Sequence, residues 1–206
     1  MTRKFDRIFI EEGKGLPLPF LRALAYSESR NNPKQASGPA WGLLQVGINE
    51  NAGDVLKSYN KRHGTDYTRR DVLDPRINVR IAGELLRTIV RMFKAEGLEP
   101  NWDNGNFIGL VTAAWNAGYS RKGGMVRVIR YLKKEKIPIT LSAAYANAKR
   151  SGAGKRFIRL LAQPKRQKWH RSVVRRTFAE QGILPSLQTK EKTWLPLALL
   201  ALLLLR

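Results

Sequence analysis

The chain contains no cysteine, so it has neither a disulfide framework nor a thiolate metal site. Histidine is almost missing too. His63 and His170 are the only imidazoles and stand far apart in sequence, which argues against a His-based zinc site and against a Ser-His triad. Acid is scarce where base is dense: no Asp or Glu occurs from Lys136 to Ala179, a stretch rich in Lys and Arg. Strand signals are weak and no repeat is visible. The opening MTRKFDRIFIEEGKG does not read as a secretory signal, because the apolar run Ile8-Phe9-Ile10 ends at Glu11-Glu12.

What is present bounds the class. The 206 residues are 43% apolar, enough for one domain with a sizeable core. The net charge of +22 is large for the length. Such a field attracts polyanions: nucleic acid, anionic lipid head groups, or anionic wall polymers. Aromatics are few within the basic half (Tyr145, Phe157, Trp169, Phe178), which gives little for bases to stack on. The Gly-rich segment Ser151-Gly152-Ala153-Gly154-Lys155 has no strand before it and reads as a turn, not a phosphate loop.

The body reads as all-helical. Helices are expected from about Pro19 to Ser29, Asp54 to Arg62, Pro75 to Glu96, Asp103 to Trp115, Gly124 to Lys134, Leu141 to Arg150, and Pro164 to Gln181. The strongest pattern is the third, with Ile77, Ile81, Leu85, Ile89 and Phe93 recurring every fourth residue. Residues 1–181 form the expected catalytic domain with a basic C-terminal half, 182–193 a linker, and 194–206 an apolar tail. The tail is continuously apolar from Trp194 to Leu205. As a helix it would be about 18 Å long, too short for a hydrocarbon core of about 30 Å. It reads as an interfacial or one-leaflet anchor, with Lys190 and Lys192 on head groups. Self-association is the other reading.

The most telling stretch is Tyr26-Ser27-Glu28-Ser29-Arg30-Asn31-Asn32-Pro33. Glu28 closes an apolar helical run (Leu21, Leu24, Ala25), and Asn32-Pro33 is a stop signal. A carboxylic acid can protonate a glycosidic oxygen near neutral pH only if its pKa is raised. Burial raises it, and a helix C-terminus disfavours its charge further. Most glycosidases use two carboxylates. No second acid here has a comparable setting, because Asp54 and Asp103 both stand at expected helix starts.

Three blocks recur in order: Glu28-Ser29 with Asn32-Pro33, then Gly42-Leu43-Leu44-Gln45, then Ala113-Ala114-Trp115-Asn116-Ala117-Gly118. Over roughly residues 19–130 this order and spacing resemble the soluble lytic transglycosylases, whose fold is like that of goose-type lysozyme. Asp74-Pro75, Asn78 and Gly83 match a further family pattern that looks structural. The resemblance implies an all-α, lysozyme-like domain that cuts peptidoglycan without metal or cofactor. It implies that Glu28 alone acts first as acid and then as base, closing N-acetylmuramic acid into a 1,6-anhydro ring. It further implies that Ser29, Ser37, Leu44, Gln45, Trp115 and Asn116 line the saccharide site. The family usually has Tyr where Trp115 stands. A phenol donates and accepts, whereas indole only donates. The family's later cleft Tyr has two possible stand-ins, Tyr145 and Trp169.

The expected function is therefore a peptidoglycan lytic transglycosylase. Its expected partners are glycan strands and, through the tail and basic region, an anionic membrane surface, with nucleic acid possible. The expected setting is a virion or membrane surface, acting on the wall or in the periplasm during phage genome entry; a conjugation or secretion system fits nearly as well. Two alternatives stand beside it: a hydrolysing goose-type lysozyme, and a structural virion protein of weak activity that binds membrane or nucleic acid.

Overall fold

Asp74 and Pro75 open α4 (Pro75–Ala95) in a computed structural model that describes residues 2–48 and 55–183. The Asp74 side chain accepts from the backbone N–H of Arg76 and Ile77, and Pro75 sits where no N–H is needed. The buried stripe of α4 is Val79, Ala82, Leu86, Ile89 and Phe93, joined by Ile81. A strict four-residue recurrence drifts around a helix of 3.6 residues per turn, so Ile77 and Leu85 of the expected series are only half-buried.

Two helices precede it: α1 (Asp6–Gly13) and α2 (Leu18–Ser29). The periodic pattern does not announce α1, which has only eight residues. Long-range contacts hold it. Arg80 clamps Glu12 through Nε and Nη2, both at 2.8 Å, and Arg87 Nη1 donates to the Gly13 carbonyl at 2.8 Å. Gly83 lets the two helices approach, since a Cβ there would lie 3.2 Å from the Glu12 carbonyl oxygen. Then α2 ends, and not at Pro33 itself. Arg30 and Asn31 both turn left-handed, and the Arg30 N–H closes on the Tyr26 carbonyl.

A three-stranded antiparallel sheet follows, with strands of two residues each: β1 (Ala36–Ser37), β2 (Ala40–Trp41) and β3 (Val46–Gly47). Ala36 pairs with Trp41, and Ala40 with Gly47. Beyond α3 (Val55–His63) and a 3-10 turn at Asp71–Leu73, Asn78 of α4 ties this sheet down. It is fully buried; its Oδ1 accepts from the Leu44 N–H at 2.7 Å, and its Nδ2 donates to the carbonyls of Trp41 and Val72. Gly42 (φ +80°) lies against it, and a Cβ there would fall 2.1 Å from Asn78 Nδ2. The match of Gly42 and Asn78 across the two blocks thus has one physical cause.

The central helix is α5 (Gly105–Ala117), whose residues Phe107 to Ala114 are all buried. A helix apolar on every side belongs inside a core. Asn104 caps it, accepting from the Asn106 and Phe107 N–H groups, so the helix starts after Asp103 and not at it. The rest of the chain wraps it: α6 (Met125–Lys134), α7 (Leu141–Asn147), α8 (Lys155–Leu161) and α9 (Pro164–Glu180). The Gly-rich segment before α8 is the expected turn, with Gly154 donating to the Gly123 carbonyl. The basic α9 is part of the fold. It runs along α2, with Arg22 pairing with both Asp6 and Glu180. Residue 54 and the 184–206 segment, including most of the expected linker and the whole apolar tail, lie outside the described residues. No helix among the described residues is long and apolar enough to cross a membrane.

Candidate active site

A side-chain hydrogen bond joins the last turn of α2 to the last turn of α5. Glu28 comes from the first and Trp115 and Asn116 from the second. The Trp115 Nε1–H donates to Glu28 Oε1 at 2.6 Å. Glu28 keeps part of its surface in solvent, but protein surrounds its carboxyl closely enough to remove much of its hydration. That burial pushes its pKa up to about 7. The Trp115 hydrogen bond and the positive charge of Arg166 pull the other way. A half-buried acid that is protonated for a large part of the time near neutrality can deliver a proton to a leaving oxygen.

A third element completes the site. From α9, Trp169 Nε1 donates to the Ser27 carbonyl at 3.1 Å, one residue before the acid. Arg166 Nη1 donates to Asn116 Oδ1, one residue after Trp115. Arg166 had no mark in the sequence beyond its place on a stripe. With His170, Val173 and Thr177, all buried, it falls on the inward face of α9 at spacings of four, three and four. A lone Arg on an otherwise buried face was the available signal.

The residues expected around the acid divide into two groups. Glu28, Trp115 and Asn116 come together as described. Ser29 and Leu44 are instead placed beneath the site. Ser29 is 4% exposed, and its hydroxyl donates to the carbonyl oxygens of Ala25 and Leu43, the latter at 2.8 Å. Leu44 is fully buried, with its N–H on Asn78. Ser29 ties the second block to α2, and Leu44 ties it to α4. Gln45 (φ +49°) folds its amide back onto the carbonyls of Gln35 and Gly42. Ser37 is exposed on β1. Among the described residues neither Gln45 nor Ser37 hydrogen-bonds Glu28.

Of the two stand-ins for a later Tyr, Trp169 lies at the acid's turn, on Ser27, and Tyr145 packs with His170, its hydroxyl meeting Nδ1 at 2.9 Å. His170 is buried, and that burial, reinforced by the charges of Arg166 and Arg171, pushes its pKa down to about 4. It is neutral at physiological pH.

Among the described residues no second carboxylate attends Glu28. The one charge among the described residues that bears on it is Arg166. Asp103 precedes α5 at the end away from Trp115, and the intervening helix is about 18 Å long. The described residues hold no cluster of three or more His, Asp or Glu side chains that could bind a metal ion.

Comparison with known families agrees with this geometry. The model of the transglycosylase SLT domain matches residues 8–137. No significant match is found among curated proteins or among solved structures.

Proposed function

The chain belongs to the transglycosylase SLT domain family, and from that premise we propose that it cleaves the β-1,4 bond between N-acetylmuramic acid and N-acetylglucosamine with formation of a 1,6-anhydro end. Lytic transglycosylase action on peptidoglycan is the family's activity. The observation that carries the finer reading is the single acid. Glu28, with a pKa of about 7, is populated in both forms near neutrality. As the acid it gives its proton to the glycosidic oxygen while the C1–O bond breaks. As the resulting carboxylate it takes the proton of the C6 hydroxyl as that oxygen bonds C1. The substrate supplies its own nucleophile, so no second carboxylate is required. Mass spectrometry of digested peptidoglycan tests this. Anhydro ends support it; reducing ends would assign the chain to hydrolysis.

The setting is part of the same proposal. A field of +22 and the apolar run from Trp194 to Leu205 fit an enzyme that works at an anionic membrane or virion surface and opens the wall locally, as in phage genome entry. Co-sedimentation with anionic vesicles, with and without residues 194–206, tests the membrane contact.

A further inference from the structure

We infer that Arg166, a residue of α9 beyond the family match, is a positioning residue of the site: it orients Asn116 and sets a fixed positive charge against the carboxylate that Glu28 becomes when it gives up its proton. The inference rests on the single-acid reading above and extends it to a residue that the three sequence blocks do not contain.

Four observations support it. Arg166 is half-buried on the face of α9 that packs inward, not among the exposed Lys165, Lys168, Arg171 and Arg175 of the outer face. Its polar partners among the described residues are neutral: Gln163 Oε1 accepts from Nε at 2.9 Å, and Asn116 Oδ1 accepts from Nη1. Of the other part-buried Arg side chains, Arg22 and Arg80 differ in that respect, each with a carboxylate in hydrogen-bond contact, whereas Arg87 and Arg176 hydrogen-bond a carbonyl and a hydroxyl. An inward Arg without a carboxylate in contact keeps its field for whatever charge appears nearby. Finally, the helix that carries it is anchored at the acid's own turn by the Trp169 bond to Ser27, so its place relative to Glu28 is fixed by two contacts.

The chemistry gives the charge a task. During the first half of the reaction the proton leaves Glu28 for the departing oxygen, which takes the electron pair of the broken C1–O bond. Glu28 is then an anion in a site that burial makes hostile to anions, facing a positive sugar. A guanidinium held on Asn116, close enough for its charge to act on that carboxylate, lowers the energy of the state without contacting the substrate. In the second half the carboxylate recovers a proton from the C6 hydroxyl, and the site is reset. Burial favours the form that starts the reaction; Arg166 favours the form that exists in the middle of it. The groups acting on the carboxyl from the packed elements are Trp115 from α5 and Arg166 from α9. His170, the other titratable side chain on the inner face of α9, is neutral near pH 7.

Arg166→Met and Arg166→Lys separate this role from simple support of α9. Direct NMR titration of the Glu28 carboxyl carbon in the full chain is the first measurement. Arg166→Met should move its midpoint upward by about one pH unit, the low end for loss of a nearby opposite charge. Arg166→Lys, which keeps the charge but not the fork that reaches Asn116, should move it much less. In peptidoglycan turnover, Arg166→Met should lower kcat about tenfold with little change in KM, and its alkaline limb should follow the same upward shift. An unmoved Glu28 midpoint in a folded Arg166→Met protein overturns the inference, as does equal behaviour of the Met and Lys variants. The NMR arm needs no catalysis, so it gives its answer even if the chain proves not to cleave peptidoglycan by this route.

Discussion

Trp115 donates its only hydrogen-bonding proton to Glu28 Oε1 at 2.6 Å. The indole cannot accept, so this contact has one direction and favours the charged carboxylate over the neutral acid. It also leaves the second oxygen of Glu28 without a hydrogen-bond partner among the described residues. The departure from the family's Tyr therefore leaves the donor in place. Trp115→Tyr should keep turnover or raise it, and Trp115→Ala should lower kcat by at least tenfold. Trp115→Phe isolates the donor. Its loss should raise the Glu28 midpoint and shift the alkaline limb of the rate profile upward, which steady-state kinetics across pH 5 to 9 would show. Equal activity for Trp, Tyr and Ala would make this side chain ordinary packing.

Glu28→Gln should abolish cleavage while the fold persists. The amide keeps the shape and can still meet Trp115 through its oxygen, but it has no acidic proton to give. The loss should be at least about a hundredfold, the low end of a general acid's contribution. Retained turnover above that level would place the acid elsewhere.

The same substitution should stabilise the protein at high pH. The folded-state pKa of Glu28 is raised to about 7 from an ordinary carboxyl value. For a raised acid, stability is fully present below the unfolded pKa and is lost as pH rises through the folded one. Wild type should lose about 1–3 kcal/mol between pH 4.5 and 8 from this group, and Glu28→Gln should not. Urea midpoints of the two proteins should agree near pH 4.5 and diverge by pH 8. Identical midpoints at both pH values would show that the carboxyl is not strained by burial.

Asn78→Ala should cost about 2–4 kcal/mol, because it leaves the Leu44 N–H and two carbonyls without their partner inside the core. Gly42→Ala should be comparably damaging, since its Cβ has no room beside Asn78 and its backbone is left-handed. Denaturant titration measures both. Activity should fall with stability, because the same loop carries Gln45 and buttresses Ser29 below the acid.

Deleting residues 194–206 should leave a folded enzyme that cuts purified peptidoglycan but no longer pellets with anionic vesicles. Each buried CH2 of the Leu-rich run is worth about 0.8 kcal/mol, so its removal should outweigh what high salt does to the basic residues. Unfolding on truncation would assign the segment to the core, and unchanged pelleting would assign the contact to the basic face.

Much of the fold could be read from the chain because its cues are local. Asp74-Pro75 caps and starts α4 wherever it is placed, and a buried periodic stripe needs no knowledge of its partner. The acid was legible for a related reason: an apolar helix that ends in Glu, followed by two blocks in fixed order, is a linear pattern. What could not be read is what depends on distant contacts. The eight residues of α1 are held by Arg22, Arg76, Arg80 and Arg87 from elsewhere. Ser29 and Leu44 stand beside site residues in sequence, but their burial depends on distant partners: the Ser29 hydroxyl meets the Leu43 carbonyl, and the Leu44 N–H meets Asn78. Arg166 lies 50 positions from Asn116, and its only local mark among the cations of a basic helix is its register with the buried His170, Val173 and Thr177.

The wrapping of α9 along α2 has a consequence for anyone who exchanges parts among such enzymes. The family match ends at residue 137, and a chimera joined there would inherit the acid, its indole and its loop. It would lose Trp169 and Arg166, and with them the strap across the acid's turn and one of the two influences that oppose burial there. The recombinant border that respects this protein's chemistry runs beyond Glu180, where the pairing with Arg22 closes the helix pair. A graft cut shorter would carry the right residues with the wrong proton affinity.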